Sequence, residues 1–70
     1  MSSEQLWVVA ACFNEGEVIS AFMDRVMDLP AVNRLILVDD GSSDATVAAI
    51  RTWQLSHPDQ AVTLLELTRN

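Results

Sequence analysis

A run of four apolar residues, Leu35 to Val38, ends abruptly in Asp39, Asp40 and Gly41. An apolar run of this length without polar alternation is typical of a parallel strand that is buried on both faces. In open α/β sheets, ligands bind at the edge where the carboxyl ends of the strands meet. The sequence therefore predicts a buried strand that presents carboxylates to a small molecule.

Strand and helix patterns alternate along the chain in the order strand, helix, strand, helix, strand. Strands are predicted at residues 6–12, 34–38 and 62–67, and partial alternation places the third one nearer an edge. Right-handed crossovers then predict one parallel sheet with helices covering its faces. The fold class expected is α/β, a three-layer βαβαβ half of a Rossmann-like fold.

The two predicted helices have recognisable beginnings and ends. Asn14, with Glu17 three residues later, suits a capping box at the start of the first helix, and Pro30 ends it. Ser43 or Asp44 is predicted to cap the second helix. Apolar residues at helical spacing are expected to face the sheet; they are Val18, Phe22, Val26 and Leu29, flanked by Ile19 and Met23, in the first helix, and Val47, Ile50 and Trp53 in the second.

The charge balance excludes several classes of partner. The chain has a net charge of -6, and its four cations are all arginines. Nucleic acids and anionic membrane surfaces are bound through many basic residues, so neither is an expected partner. A ligand with phosphates would need a divalent cation or basic residues from elsewhere. Cys12 is the single cysteine, which excludes an intrachain disulfide and a cysteine-based metal site.

Three segments follow the carboxyl ends of the predicted strands and should line one crevice. They are residues 12–15, 39–42 and 68–70. In this crevice the Phe13 ring is suited to stack on a nucleobase. The Asp40 carboxylate is suited to accept the ring N–H of uracil or guanine, Ser42 to contact the base or ribose, and Glu15 to reach the same pocket.

Two other α/β sites fit the motif residues less well. A dinucleotide-binding turn needs several glycines, whereas the loop after the first strand carries Phe13, Glu15 and a single glycine. A receiver domain has its acid pair after the first strand, whereas Asp39 and Asp40 follow the second. A receiver-like acidic site and a non-catalytic association module remain the alternatives to a nucleotide site.

The segments Val8–Glu15 and Leu37–Thr46 together resemble the start of family 2 glycosyltransferases, which have the GT-A fold. The likeness is greatest to polyprenyl-phosphate sugar transferases. Their first strand ends in Tyr-Asn-Glu, and their second strand ends in Val-Asp-Asp-Gly-Ser-x-Asp-x-Thr. By motif position, the resemblance implies that Phe13 stacks on the base, Asp40 binds uracil or guanine, and Glu15 lies near the base and ribose. Asp39 and Ser42 are second candidates for nucleotide binding.

The resemblance also implies properties of a longer enzyme. That enzyme would be inverting, would use a UDP- or GDP-type nucleotide-diphosphate sugar and a polyprenyl-phosphate acceptor, and would need Mg²⁺ or Mn²⁺. The metal-binding Asp-x-Asp motif and the catalytic base are expected beyond Asn70, so no metal ligand and no catalytic residue is expected within residues 1–70. We expect the enzyme to act at the cytoplasmic face, with membrane association through later segments.

Residues 1–70 are therefore expected to be the N-terminal, nucleotide-binding part of a glycosyltransferase domain. By itself this part is expected to be inactive, to bind no metal ion, and to self-associate through an exposed sheet edge.

Overall fold

Strands and helices alternate in the predicted order. The structure is a computed structural model, and it describes residues 5–67. Its elements are β1 (Leu6–Cys12), α1 (Ile19–Met27), β2 (Val32–Asp39), α2 (Thr46–Ser56) and β3 (Val62–Glu66). The predicted βαβαβ arrangement is confirmed.

The three strands form one parallel sheet in the order β1-β2-β3. Cys12 pairs with Asp39, and Asp39 pairs with Glu66, so the carboxyl ends of all three strands are in register. β2 lies in the centre, and β3 is an edge strand, as its partial alternation predicted. This register brings the loops that follow β1 and β2 to one edge of the sheet.

The core lies on one face of the sheet. Leu35 and Leu37 of β2 are fully buried and form one cluster with residues from both helices: Ile19, Met23, Ile50 and Trp53. Right-handed crossovers that step from β1 to β2 to β3 in one direction place successive helices on the same face. Residues 5–67 therefore form two layers, of helices and sheet, rather than the three layers expected.

The opposite face of the sheet is exposed. Trp7, Val9 and Leu65 have exposed fractions of 62%, 65% and 50%. The Arg34 guanidinium lies on the same face, 5.5 Å from the centre of the Trp7 ring, and donates a 3.0 Å hydrogen bond to the Thr63 hydroxyl. These two contacts connect the three strands across a surface that is otherwise apolar.

The start of α1 differs from the prediction. Val18 occupies the cap position without a side-chain hydrogen bond, so the capping box predicted for Asn14 and Glu17 is wrong. Helix formation starts instead from the Glu15 carbonyl, which accepts the N–H groups of Val18 and Ile19 at 2.9 Å. The buried residues of α1 are Ile19 and Met23, whereas Val18 and Phe22 of the predicted stripe are exposed.

The inward side of α2 agrees with the prediction. Ile50 and Trp53 are buried. The cap position is Ala45, one residue after Asp44 and two after Ser43, so α2 begins slightly later than predicted. The Asp44 carboxylate nevertheless accepts the Thr46 N–H at 2.9 Å, which satisfies a donor in the first turn of the helix.

The two helices are joined at their carboxyl-terminal ends, away from the motif loops. The Trp53 indole donates a 2.8 Å hydrogen bond to the Asp24 carboxylate, and the His57 ring stacks on Trp53 with 3.9 Å between ring centres. A cavity of about 480 Å³ opens beside this pair. None of the helices within residues 5–67 is long and apolar enough to cross a membrane.

Candidate functional site

Two backbone hydrogen bonds join the carboxyl ends of the strands. The Asp40 N–H donates to the Cys12 carbonyl at 3.0 Å, and the Leu67 N–H donates to the Asp39 carbonyl at 2.8 Å. The loops after β1 and β2 therefore start side by side, as the parallel order predicted. Residues 68–70, expected as the third wall of the crevice, lie outside the described residues.

Asp39 faces its own loop. Its side chain is 3% exposed, and its carboxylate accepts both the Ser42 N–H, at 3.0 Å, and the Ser42 hydroxyl. The Ser42 oxygen in turn accepts the Asn14 N–H at 2.9 Å. Asp39 thus holds Ser42, and Ser42 holds the backbone of the loop after β1.

Asn14 bonds to the second loop instead of capping α1. It has a φ of 51°, a left-handed conformation that asparagine tolerates better than most residues. Its side-chain oxygen accepts the N–H groups of Ser43 and Asp44, at 2.9 and 3.4 Å. Together with the bond from its own N–H to Ser42, these contacts tie Asn14 to three successive residues of the loop after β2.

Asp44 and Thr46 make the other connections between the loops. Thr46 is fully buried; its hydroxyl accepts the Glu15 N–H at 2.8 Å and donates to the Asp44 carboxylate. Asp44 also accepts the Gly16 N–H at 3.2 Å. The hydrogen bond from the Thr46 hydroxyl is the main cause that lowers the pKa of Asp44 below its usual value.

We call this set of hydrogen bonds between residues 13–16 and residues 39–46 the loop brace. Its side chains are Asn14, Asp39, Ser42, Asp44 and Thr46. None of these bracing roles is predictable from the residue types alone. The spacing of Asp44 and Thr46 is the one local sequence feature that indicates part of the loop brace. An acid two residues before the first residue of a helix commonly accepts backbone N–H groups of the first turn.

The remaining candidate residues are exposed or partly exposed. Phe13 is 48% exposed, Glu15 is exposed, and Asp40 is half-buried. Gly41, with a φ of 75°, supplies the left-handed turn that follows Asp40. A cavity of about 290 Å³, lined in part by Asn14, Glu15 and Asp44, opens between the two loops.

Cys12 is the last residue of β1 and lies at this edge of the sheet. It is buried, and its thiol lies 3.7 Å from the Val38 carbonyl and 3.8 Å from the Asp39 carboxylate. Burial, and after it the negative charge of Asp39, raises the pKa of the Cys12 thiol. The thiol is therefore neutral at physiological pH and acts as a small packing group rather than as a nucleophile.

The acids at this edge do not converge on a common point. Among residues 5–67, no group of three or more His, Cys, Asp and Glu side chains is placed to hold a metal ion. Asp39 and Asp44 are already engaged by hydroxyl and N–H donors of the loop brace. The described residues therefore do not fit a metal centre of their own.

The fold and the motif positions agree with a known family. A sequence model of glycosyl transferase family 2 matches residues 7–70. The chain therefore belongs to glycosyltransferase family 2, and its βαβαβ arrangement matches the Rossmann-like GT-A fold.

Two relatives define the likeness more closely. Dodecaprenyl-phosphate galacturonate synthase from Rhizobium johnstonii is 35% identical over 74 residues, an alignment that covers 100% of this chain and 22% of the relative. A mannosyltransferase from Pyrobaculum calidifontis, solved in complex with GDP-Man and Mn²⁺, is 31% identical and superposes with a TM-score of 0.83. That superposition covers 91% of this chain and 19% of the mannosyltransferase. The chain thus spans about a fifth of the length of each relative.

Proposed function

We propose that this chain forms the donor-nucleotide-binding part of an inverting glycosyltransferase. The donor would be a UDP- or GDP-type sugar, and the acceptor a polyprenyl phosphate at the cytoplasmic face of a membrane. The observation that carries the proposal is the Asp40–Cys12 backbone bond of 3.0 Å. It sets Asp40 beside Phe13 at the sheet edge where ligands of open α/β sheets bind.

In this proposal the base is recognised by Phe13 and Asp40. The exposed Phe13 ring stacks on the base, a contact that every base can make. The Asp40 carboxylate has only acceptors, so it accepts the ring N–H of uracil or guanine. Adenine and cytosine present an acceptor nitrogen at the corresponding ring position, and a carboxylate facing it would leave both groups unpaired.

The other predicted site residues then divide into two roles. Glu15 is exposed and lines the cavity between the loops, and in this proposal its carboxylate accepts hydroxyl groups of the ribose. Asp39 and Ser42 bond to each other and to Asn14. We therefore assign Asp39 and Ser42 to shaping the loop that presents Asp40, and not to direct contact with the nucleotide.

The diphosphate needs positive charge that this segment does not supply. The chain carries ten acids against four arginines, and the acids Glu15, Asp40 and Asp44 lie in the two loops at the proposed site. We propose that a divalent cation, Mg²⁺ or Mn²⁺, neutralises the diphosphate and that residues beyond Asn70 hold it. The mannosyltransferase with a similar fold was solved with GDP-Man and Mn²⁺, which supports this choice.

The proposed reaction is a single displacement at the anomeric carbon. An oxygen of the acceptor phosphate forms a new bond to the anomeric carbon. At the same time, the bond between this carbon and the donor diphosphate breaks, and the nucleoside diphosphate leaves. No residue of this chain is assigned to bond making or breaking. Its part is to hold the nucleotide so that the anomeric carbon is correctly placed, a contribution of orientation.

A transfer assay tests this proposal. The complete enzyme that carries this segment should move labelled sugar from a UDP or GDP donor into lipid-extractable polyprenyl-phosphate sugar when Mn²⁺ or Mg²⁺ is present. The 70-residue chain by itself should give no labelled lipid. Failure of the complete enzyme with every UDP- and GDP-sugar offered would contradict the proposal.

The exposed sheet face supports a second, compatible proposal, that the 70-residue chain by itself associates. Trp7, Val9 and Leu65 form an apolar surface on the face without helices, and among the described strands β1 pairs only with β2. Surfaces and edges of this kind favour association. Sedimentation should show a mass that rises with concentration, and Val9→Lys should lower it. A monomer at every concentration would contradict association.

A further inference from the structure

We propose that Asp44 and Thr46 are positioning residues for nucleotide binding, a role that they serve by fixing the backbone that presents Glu15. The inference rests on the proposed function and adds residues to it that touch no ligand. Neither side chain belongs to the set assigned to the nucleotide. Both lie at the start of α2, yet their partners lie in the loop after β1.

The contacts are specific to the backbone of that loop. The Thr46 hydroxyl accepts the Glu15 N–H at 2.8 Å, and the Asp44 carboxylate accepts the Gly16 N–H at 3.2 Å. The Thr46 hydroxyl proton is directed to Asp44, so the two side chains act as one unit. They determine where the peptides on both sides of Glu15 lie.

The buried member of this unit is Thr46. Thr46 is fully buried, and its hydrogen bond to the Glu15 N–H is shielded in part from solvent, so a lost acceptor there is not freely replaced by water. Removing the Thr46 hydroxyl therefore leaves the Glu15 N–H unsatisfied unless the loop moves toward solvent. A loop that moves carries Glu15 away from Asp40, which is anchored separately through Cys12.

The fit around Gly16 shows how little space the unit leaves. A Cβ added to Gly16 would lie 3.1 Å from the Asp44 carboxylate oxygen and 3.3 Å from the Thr46 nitrogen. These separations are tighter than ordinary van der Waals contact, so a Cβ at residue 16 would require the Asp44 side chain to shift slightly. Gly16 is thus the third member of the arrangement, and its lack of a side chain allows the close approach of the two loops.

Three variants of the complete enzyme test the inference by nucleotide affinity and by the kinetic constants for the donor sugar. Thr46→Val removes the hydroxyl at nearly constant volume and should raise the donor Kd and KM about 10-fold, with kcat changed less than about 2-fold. Thr46→Ser keeps the hydroxyl and should restore both constants to within about 2-fold of the parent. Gly16→Ala should raise KM in the same direction as Thr46→Val.

Thr63→Val is the matched control. It also removes a threonine hydroxyl that accepts a hydrogen bond, from Arg34 at 3.0 Å, but it lies on the opposite face of the sheet in β3. A comparable loss of melting temperature in both valine variants, with a raised KM only for Thr46→Val, supports positioning. A KM for Thr46→Val equal to that of the Thr63→Val control would overturn the inference.

Asp44→Ala provides an independent test if Thr46→Val folds poorly. Asp44 is an exposed residue, so its replacement should leave the fold intact. Asp44→Ala removes the acceptor of the Gly16 N–H without creating a buried cavity, and it should raise KM about 5-fold. An unchanged KM in Asp44→Ala would overturn the inference. The outcome for the proposed function is separate: if Asp40→Ala loses affinity and the Asp44 and Thr46 variants do not, only the positioning role fails.

Discussion

The backbone N–H of Asp40 donates a 3.0 Å hydrogen bond to the carbonyl of Cys12. This bond continues the ladder between β1 and β2 by one residue, and it ends where Phe13 begins the next loop. The first residues after β1 and β2, the aromatic Phe13 and the acidic Asp40, are therefore both candidates for binding the ligand. The relation follows from the parallel register, in which Cys12 pairs with Asp39.

Replacing Phe13 tests the stacking role. Phe13→Ala should weaken binding of UDP or GDP by about 1–3 kcal/mol, roughly a 5- to 150-fold rise in Kd, because base–aromatic stacking contributes this much in other proteins. Phe13→Tyr keeps the ring and should bind within about 2-fold of the parent. Calorimetric titration of the complete enzyme measures both; equal affinities for the alanine and tyrosine variants would exclude stacking.

Asp39 is predicted to matter for stability more than for chemistry. Asp39→Ala leaves the Ser42 N–H and hydroxyl without their buried acceptor, and should lower the free energy of unfolding by about 1–3 kcal/mol. Urea unfolding measures the change. Asp59→Ala, at an exposed position in the turn before β3, is the control and should stay within about 0.5 kcal/mol of the parent.

Acid should weaken the loop brace through Asp44. Its pKa is lowered in the folded protein, mainly by the Thr46 hydroxyl, so its stabilising effect is present above the unfolded pKa of about 3.9 and is lost as the pH falls through the lower folded value. The difference in stability between the parent and Asp44→Asn should therefore shrink from about pH 6 to about pH 3. A difference that is constant over this range would contradict the assignment.

Cys12 should resist alkylation in the folded protein. Because burial and Asp39 raise its pKa, the thiolate is disfavoured, and stability attributable to the thiol falls as the pH rises through the unfolded pKa of about 8.5 toward the folded value. At about pH 8 the reaction with iodoacetamide should be at least about 10-fold slower than in urea-unfolded protein. Equal rates in the two states would show that the thiol is accessible.

The sheet could be predicted because its signals are local. The run Leu6–Cys12 has the same bounds in the sequence analysis and in the structure, and β2 extends the predicted strand at both ends, to Val32 and Asp39. Apolar runs of this length, and the polar or glycine residues that end them, can be recognised from neighbouring residues alone. The parallel order then follows from crossover handedness.

The loop brace could not be predicted, since its partners are far apart in the chain. Asn14 suits a local cap, and its amide instead accepts N–H groups 29 and 30 residues later. The motif position of Asp39 makes it a second candidate for nucleotide binding. In the folded chain its buried carboxylate accepts hydrogen bonds from Ser42. A single sequence shows which residues are able to bond, and tertiary structure decides which of them remain available to a ligand.

The helix faces illustrate the same limit. The apolar surface of α1 is wide enough to hold two rows, and the sequence does not tell which row meets the sheet. Met23 is fully buried, whereas Phe22, one residue earlier, is exposed beside the outer edge of β1. The stripe predicted through Val18 and Phe22 therefore lies next to the buried one.

The most direct test of the account is calorimetric titration of the complete enzyme and its Asp40→Ala variant with UDP, GDP, ADP and CDP in the presence of Mn²⁺. The parent should bind UDP or GDP at least about 10-fold more tightly than ADP and CDP, because the Asp40 carboxylate accepts the ring N–H that only uracil and guanine offer. Asp40→Ala should lose this preference. Undiminished affinity and unchanged base preference in the variant would contradict the assignment of Asp40 as the base-reading residue.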